Sequence, residues 1–139
     1  MKVFLNTNVL LDALVERDEP KFTENATLIL SLGENGILDL RMSALSIPTI
    51  AYVLKNLSSS RKKSIIRDLT AIVKVLPSLP EHITNMLESP MSDIEDALQV
   101  QSAKEGGCDL IVTRNLRNFK SADLPAISPD ALLERVVIG

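Results

Sequence analysis

Three short polar clusters carry the residues that could do chemistry. The first is Asn6-Thr7-Asn8, which an apolar run over residues 3–5 delivers straight into an apolar helix. In an open α/β sheet ligands bind beyond the carboxyl ends of the strands, so a polar trio at a strand end stands where a site belongs. The second is the pair Asp93 and Asp96 on a helix expected over residues 93–105. Residues three apart on a helix share a side, so the two carboxylates could hold one metal ion or its waters. Asp96 also has Val100 and Ala103 at i+4 and i+7, which sets its carboxylate against the buried stripe, where it needs a cation or several donors. The third is Thr113-Arg114-Asn115 at the exit of the apolar strand Leu110–Val112, a hydroxyl and an amide facing the same cleft as Asn6 and Asp96.

Each cluster also has a plain structural reading. A Ser, Thr, Asn or Asp ahead of a helix is ordinarily a cap, which would account for Thr7 and Asn8. Ser92 and Glu95 have the S-x-x-E spacing of a capping box, and Asp93 lies in a first turn where the helix dipole favours an anion. Glu95 therefore reads as structural, and the Thr113 cluster reads as a polar turn.

The elements that would position these residues follow from hydrophobic spacing. Strands are expected at residues 3–5, 37–42, 73–76, Leu110–Val112 and Ala126–Ile127. Helices are expected from Val9 onward until Asp18-Glu19-Pro20 breaks the pattern, then at 23–32, 43–57 with Pro48 near its first turn, 61–72, 80–88, 93–105 and 129–134. On the first helix Asp12 and Glu16 fall on the wetter side. Strands separated by helices imply right-handed crossovers and a sheet covered on both faces: a three-layer α/β/α sandwich with a central, mostly parallel five-stranded sheet. The 139 residues, 45% hydrophobic, suit a single domain over 1–139 that buries roughly 70% of its unfolded surface without a disulfide or structural metal.

Composition narrows the classes. With one Tyr, three Phe and no Trp, the chain lacks an aromatic platform for stacking successive bases. A net charge of −3 and the single Cys108 suit a reducing cytoplasm and exclude a Cys-rich zinc site. There is no signal-peptide pattern and no apolar run long enough to span a membrane. Phosphate-binding glycine loops, serine-hydrolase elbows and zinc-protease motifs are absent. A receiver domain of a phosphorelay would echo Thr113 and Lys120, but the strand ending at Met42-Ser43 offers no phosphoacceptor Asp. His82, alone beside Glu81, reads as a solvated surface residue, Cys108 as a small core residue, and Arg61, Lys62, Lys63 and Arg67 as the wet face of an amphipathic helix.

The order of these elements, with FLNTNVLLD at the first strand, S92-D93-I94-E95-D96-A97 opening the acidic helix and T113-R114-N115 ahead of Phe119, resembles the PIN domain, the metal-dependent ribonuclease fold of VapC-type toxins. Family members carry Asp where this chain has Asn6, and often Asp before the Phe, where this chain has Asn118. The resemblance implies Mg²⁺ or Mn²⁺ held by Asp96, Asp93 and Asn6, with Thr113 and Asn115 orienting water or phosphate. It implies an RNA substrate, a cognate antitoxin laid across the cleft, and a homodimer; Arg114, Arg117 and Lys120, in the loop after the late strand, border the cleft and could hold the RNA backbone. An Asn offers a metal an oxygen but no charge. A unit charge about 4 Å from a divalent ion is worth roughly 8 kcal/mol gross at an effective dielectric of 20. A residual of about 3 kcal/mol after desolvation would weaken binding roughly a hundredfold. The expectation is a native-like fold with weakened or lost nuclease activity; the alternative is a non-catalytic module that binds an antitoxin or RNA.

Overall fold

The computed structural model describes residues 1–138. Its centre is a sheet of five strands, β1 (Lys2–Leu5), β2 (Asp39–Ser43), β3 (Lys74–Leu76), β4 (Leu110–Val112) and β5 (Ala126–Ile127). All are parallel, in the order β3-β2-β1-β4-β5. The helices are α1 (Thr7–Leu14), α2 (Pro20–Glu34), α3 (Ser46–Val53), α4 (Ser59–Ile72), α5 (Pro80–Leu87), α6 (Ile94–Glu105) and α7 (Pro129–Ile138), with a 3₁₀ turn η1 (Leu116–Phe119). The expected three-layer sandwich is therefore present, with a wholly parallel sheet.

Alternation along the central strands builds two cores. Val3 and Leu5 of β1, with Leu110 and Val112 of β4, join the larger core beneath α1, α2, α3, α4 and α7. Phe4 and Ile111 point the other way, into a core closed by Ala97, Val100 and Ala103 of α6 and by Phe119 of η1. Strand order reverses between β1 and β4, whose parallel register pairs Leu5 with Val112. The crevice beyond those two residues is where such a sheet binds ligands.

Several boundaries differ from the sequence expectation, each for a local reason. Pro20 occupies the first turn of α2 and starts the helix early, because its missing N–H would have been unpaired there anyway. α3 begins at Ser46, since the Ser43 hydroxyl accepts the Leu45 N–H at 3.0 Å and turns the chain first. Ser58 caps α4 by accepting the Arg61 N–H at 3.2 Å, so that helix starts two residues earlier than expected. At the far end of α6, a Cβ on Gly106 would lie 2.6 Å from a Leu76 methyl, and Gly107 turns the chain into β4 at a φ of 68° that favours glycine.

Two residues expected at the surface are buried. His82 is 3% exposed, because Leu79 has no side chain able to cap α5; the imidazole folds back and its Nδ1 accepts the Leu79 N–H at 3.0 Å. Asp12 is 1% exposed. Helical spacing puts it on the wetter side of α1 and does not reveal the Arg17 and Arg114 guanidinium groups that compensate its charge on burial. Cys108 is buried as expected, and burial pushes its thiol up to about 11.

Candidate functional site

Asn6 is the last residue of extended backbone before α1, with φ −64° and ψ 151°, and its side chain does not cap the helix. Its backbone N–H donates to the Val112 carbonyl, which fixes it over the β1–β4 crevice. From there the side chain donates to Asp96 Oδ1 at 3.1 Å and to Gln99 Oε1 at 2.8 Å, and its Oδ1 accepts the Thr113 hydroxyl at 3.1 Å. Asn6, Gln99 and Thr113 are all buried.

The surrounding groups complete a continuous network. Gln99 Nε2 donates to Thr7 Oγ1 at 3.0 Å and to Glu95 Oε1 at 3.4 Å, and Thr7 pairs with the buried Ser46 hydroxyl at 2.7 Å. The Thr113 hydroxyl accepts the Asn115 backbone N–H at 3.0 Å and the Asn8 amide at 3.4 Å. Asn118 Nδ2 donates to the second Asp96 oxygen at 2.9 Å, held there by Phe119, which is buried in the core beside α6. Thr7 and Asn8 thus lie in the first turn of α1 and spend their side chains across the cleft instead of on capping.

The acidic helix differs from its sequence reading. Asp93, not Ser92, is the cap: its Oδ1 accepts the Asp96 N–H at 2.9 Å. Asp93 therefore precedes the helix and does not share a helical side with Asp96. Glu95 is not engaged in a capping box with Ser92; it faces Thr7 and Gln99. Burial raises the Asp96 carboxyl above its ordinary value, hydrogen bonds from Asn118 and Asn6 pull it back, and the Asp93 charge adds to the rise. Glu95 is exposed as a residue, yet partial burial of its carboxyl raises it too, with the Asp96 and Asp93 charges adding and the Thr7 hydroxyl opposing.

The remaining sequence candidates divide. Asn115 is exposed and enters the network only through its backbone N–H. Arg114 is committed elsewhere: its guanidinium donates to both Asp12 oxygens at 2.6 and 3.2 Å and stacks 4.1 Å from the Phe22 ring centre. Arg117 and Lys120 are exposed on and just after η1, and among the described residues neither enters an ion pair. Gln99 and Asn118 were the residues missing from the candidate set. Gln99 was detectable as a polar residue at i+3 from Asp96 amid Ala97, Val100 and Ala103; Asn118 was detectable as the amide before a Phe.

A divalent ion does not fit this donor set. Hard cations take oxygen ligands, commonly several carboxylates. Here both oxygens of Asp96 already accept amide protons, and Asn6 presents an N–H, not its oxygen, to Asp96. Among the described residues no three His, Cys, Asp or Glu side chains converge on a common point. As arranged, the cluster is a polar bonding network around one carboxylate.

Comparison with known proteins supplies the family context. A profile of the PIN domain matches residues 2–117. The chain is 30% identical over 140 residues to Ribonuclease VapC1 of Aquifex aeolicus strain VF5, covering 96% of this chain and 94% of that protein. Its fold superposes on a toxin–antitoxin complex from Klebsiella pneumoniae with a TM-score of 0.67 at 15% identity, covering 91% of this chain and 97% of the other. It also superposes on VapBC2 from Rickettsia felis, bound to a DNA fragment from their promoter, with a TM-score of 0.66 at 16% identity, covering 92% and 98%.

Proposed function

Because the chain belongs to the PIN domain family, we propose that it is the toxin-type half of a toxin–antitoxin pair, built on a divalent-metal ribonuclease scaffold whose own cleavage activity is weakened or lost. The observation that carries this reading is the Asn6 amide donating to Asp96, since it places an N–H group between positions where a hydrolytic metal needs oxygen. Thr113 holds Asn6 in that orientation, and Asn115 supports Thr113 through its backbone. Asp93 fixes the start of α6 and with it the position of Asp96. In the family this chain resembles, Mg²⁺ or Mn²⁺ supplies an activated water for phosphodiester hydrolysis.

RNA contact falls to Arg117 and Lys120, whose charges are not committed to carboxylates, while Arg114 is withdrawn from that role by Asp12. The second reading, a non-catalytic module bound by an antitoxin, is favoured by the exposed apolar side chains Ile94 and Leu116, 62% and 44% exposed, at the starts of α6 and η1, the two elements joined by the Asn118–Asp96 bond.

Incubation with a mixed RNA pool in Mn²⁺, run beside the Asn6→Asp, Asn118→Asp double variant, tests the reading. The parent chain is expected to cut at least about a hundredfold more slowly than the variant, the consequence of roughly 3 kcal/mol of lost electrostatic stabilisation. Equal cleavage by both chains would remove the claim of weakened activity. Cleavage by neither would leave the binding module.

A further inference from the structure

We propose that Asn6 and Asn118 together act as a built-in substitute for a cation. Their amide N–H groups clamp the two oxygens of Asp96 and tie β1, α6 and η1 together without metal, and both must be changed before a divalent ion can enter. The inference rests on reading the cleft as that of a PIN domain and goes beyond it by assigning the clamp to two residues.

The donors and acceptors around the two amides fix their orientation. Asn6 uses one N–H on Asp96 and the other on Gln99, and its oxygen accepts the Thr113 hydroxyl. Turned over, its oxygen would face Asp96 Oδ1 and Gln99 Oε1 with no proton between them. Its NH₂ would meet a Thr113 hydroxyl whose lone pairs already receive the Asn8 amide and the Asn115 N–H. Gln99 cannot turn to compensate without aiming its own oxygen at Glu95 Oε1, to which it now donates. The orientation is thus set from β4, α1 and α6 at once. The Asn118 bond is separate: it comes from η1, anchored by Phe119, and occupies the other oxygen of Asp96.

Restoring a carboxylate at position 6 alone would set it against Asp96 Oδ1 and Gln99 Oε1, both acceptors, while Asn118 still held Asp96 Oδ2. Two like-charged oxygens would face one another with one ligand position blocked. Changing both amides replaces two N–H donors by oxygen donors around Asp96, which is what a hard cation takes.

Thermal unfolding in EDTA and in Mn²⁺, with calorimetric Mn²⁺ titration, tests this on the full chain and on Asn6→Asp, Asn118→Asp, Asn118→Ala and the double Asp variant. The parent chain is expected to melt at the same temperature in both buffers. Asn6→Asp should melt about 5 °C lower in EDTA with little recovery in Mn²⁺. The double variant should recover several degrees in Mn²⁺ and bind it at least about tenfold more tightly than either single Asp variant. Asn118→Ala, which removes one clamp without adding charge, should melt a few degrees lower and ignore Mn²⁺.

A parent chain stabilised by Mn²⁺, a single Asp variant that binds as tightly as the double, or an Asn118→Ala chain that melts unchanged would overturn the clamp. RNA cleavage on the same samples separates the two levels. A double variant that binds Mn²⁺ yet leaves RNA intact upholds the clamp and removes the ribonuclease reading; a parent chain that cuts RNA in Mn²⁺ as fast as the double variant does the reverse.

Discussion

Asp12, buried, and Asp96, half-buried, are carboxylates on helices that flank the same strand exit, and they are satisfied in opposite ways. Asp12 receives two guanidinium groups, Arg17 at 2.8 Å and Arg114 at 2.6 Å, so its charge is more than neutralised. Asp96 receives two uncharged amides, so its hydrogen bonds are made but its charge remains, next to Asp93 and Glu95. A carboxylate with a purely structural task is matched by cations. One that keeps an uncompensated charge in a cleft bears the mark of a site, because stability alone would have no reason to retain it. Adjacent residues divide the two environments: Thr113 belongs to the Asp96 network and Arg114 to the Asp12 pair.

The largest effect is expected at Asp12. Asp12→Ala strands the Arg114 guanidinium and unties α1 from the strand exit, and should cost about 3 kcal/mol in urea unfolding. The figure stays at the low end because both arginines retain some contact with solvent. A loss under 1 kcal/mol would mean that the pair is ornamental. Asn6→Asp in EDTA comes next. It exchanges two donated hydrogen bonds for two acceptor–acceptor contacts and should cost about 2 kcal/mol.

Asp96→Asn should be the mildest at neutral pH, within about 1 kcal/mol of the parent, since relief of a desolvated charge offsets the donor–donor contact that its NH₂ makes with one of the two amides. Its pH dependence sharpens the contrast. The folded-state value of Asp96 is raised, so its ionised form weighs against folding above that value, and the penalty fades as pH falls through it toward the ordinary 3.8. Urea midpoints at pH 7 and pH 4.5 should therefore show the parent gaining on Asp96→Asn as pH falls. Asp39 and Asp123, lowered by hydrogen bonds from Arg41 and Lys104, act in the opposite sense but are common to both chains and cancel in the difference.

Much of this was legible in the sequence, and the limits have physical causes. β4 and β5 were read to the residue, because a short apolar run bounded by polar residues or Pro has little freedom. The three polar clusters were placed at one cleft because parallel strands put their carboxyl ends on one edge. Asp96 was expected to need donors, but their identity depended on contacts such as Asn6 to Asp96, 90 residues apart, that no local pattern encodes. The same holds for Asp12, whose partner Arg114 lies 102 residues away. Asp93 misled because one residue of uncertainty at a helix start decides whether a side chain lies on the helix or caps it. His82 misled because its neighbour's inability to cap, not its own polarity, decided its burial.

The central position of β1 also governs the order in which the molecule can come into being. Its partner β4, and the Thr113 hydroxyl that secures Asn6, lie more than a hundred residues along the chain, 107 between those two side chains. Contacts at such separation are made late and slowly, after the loop that joins them has closed. While the polypeptide is still being synthesised, Asn6 and the first helix wait with one edge of their strand bare. The cleft comes together only when Asn118 has cleared the ribosome, so a nascent chain carries none of the finished surface on which either a nucleic acid or a protein could be received.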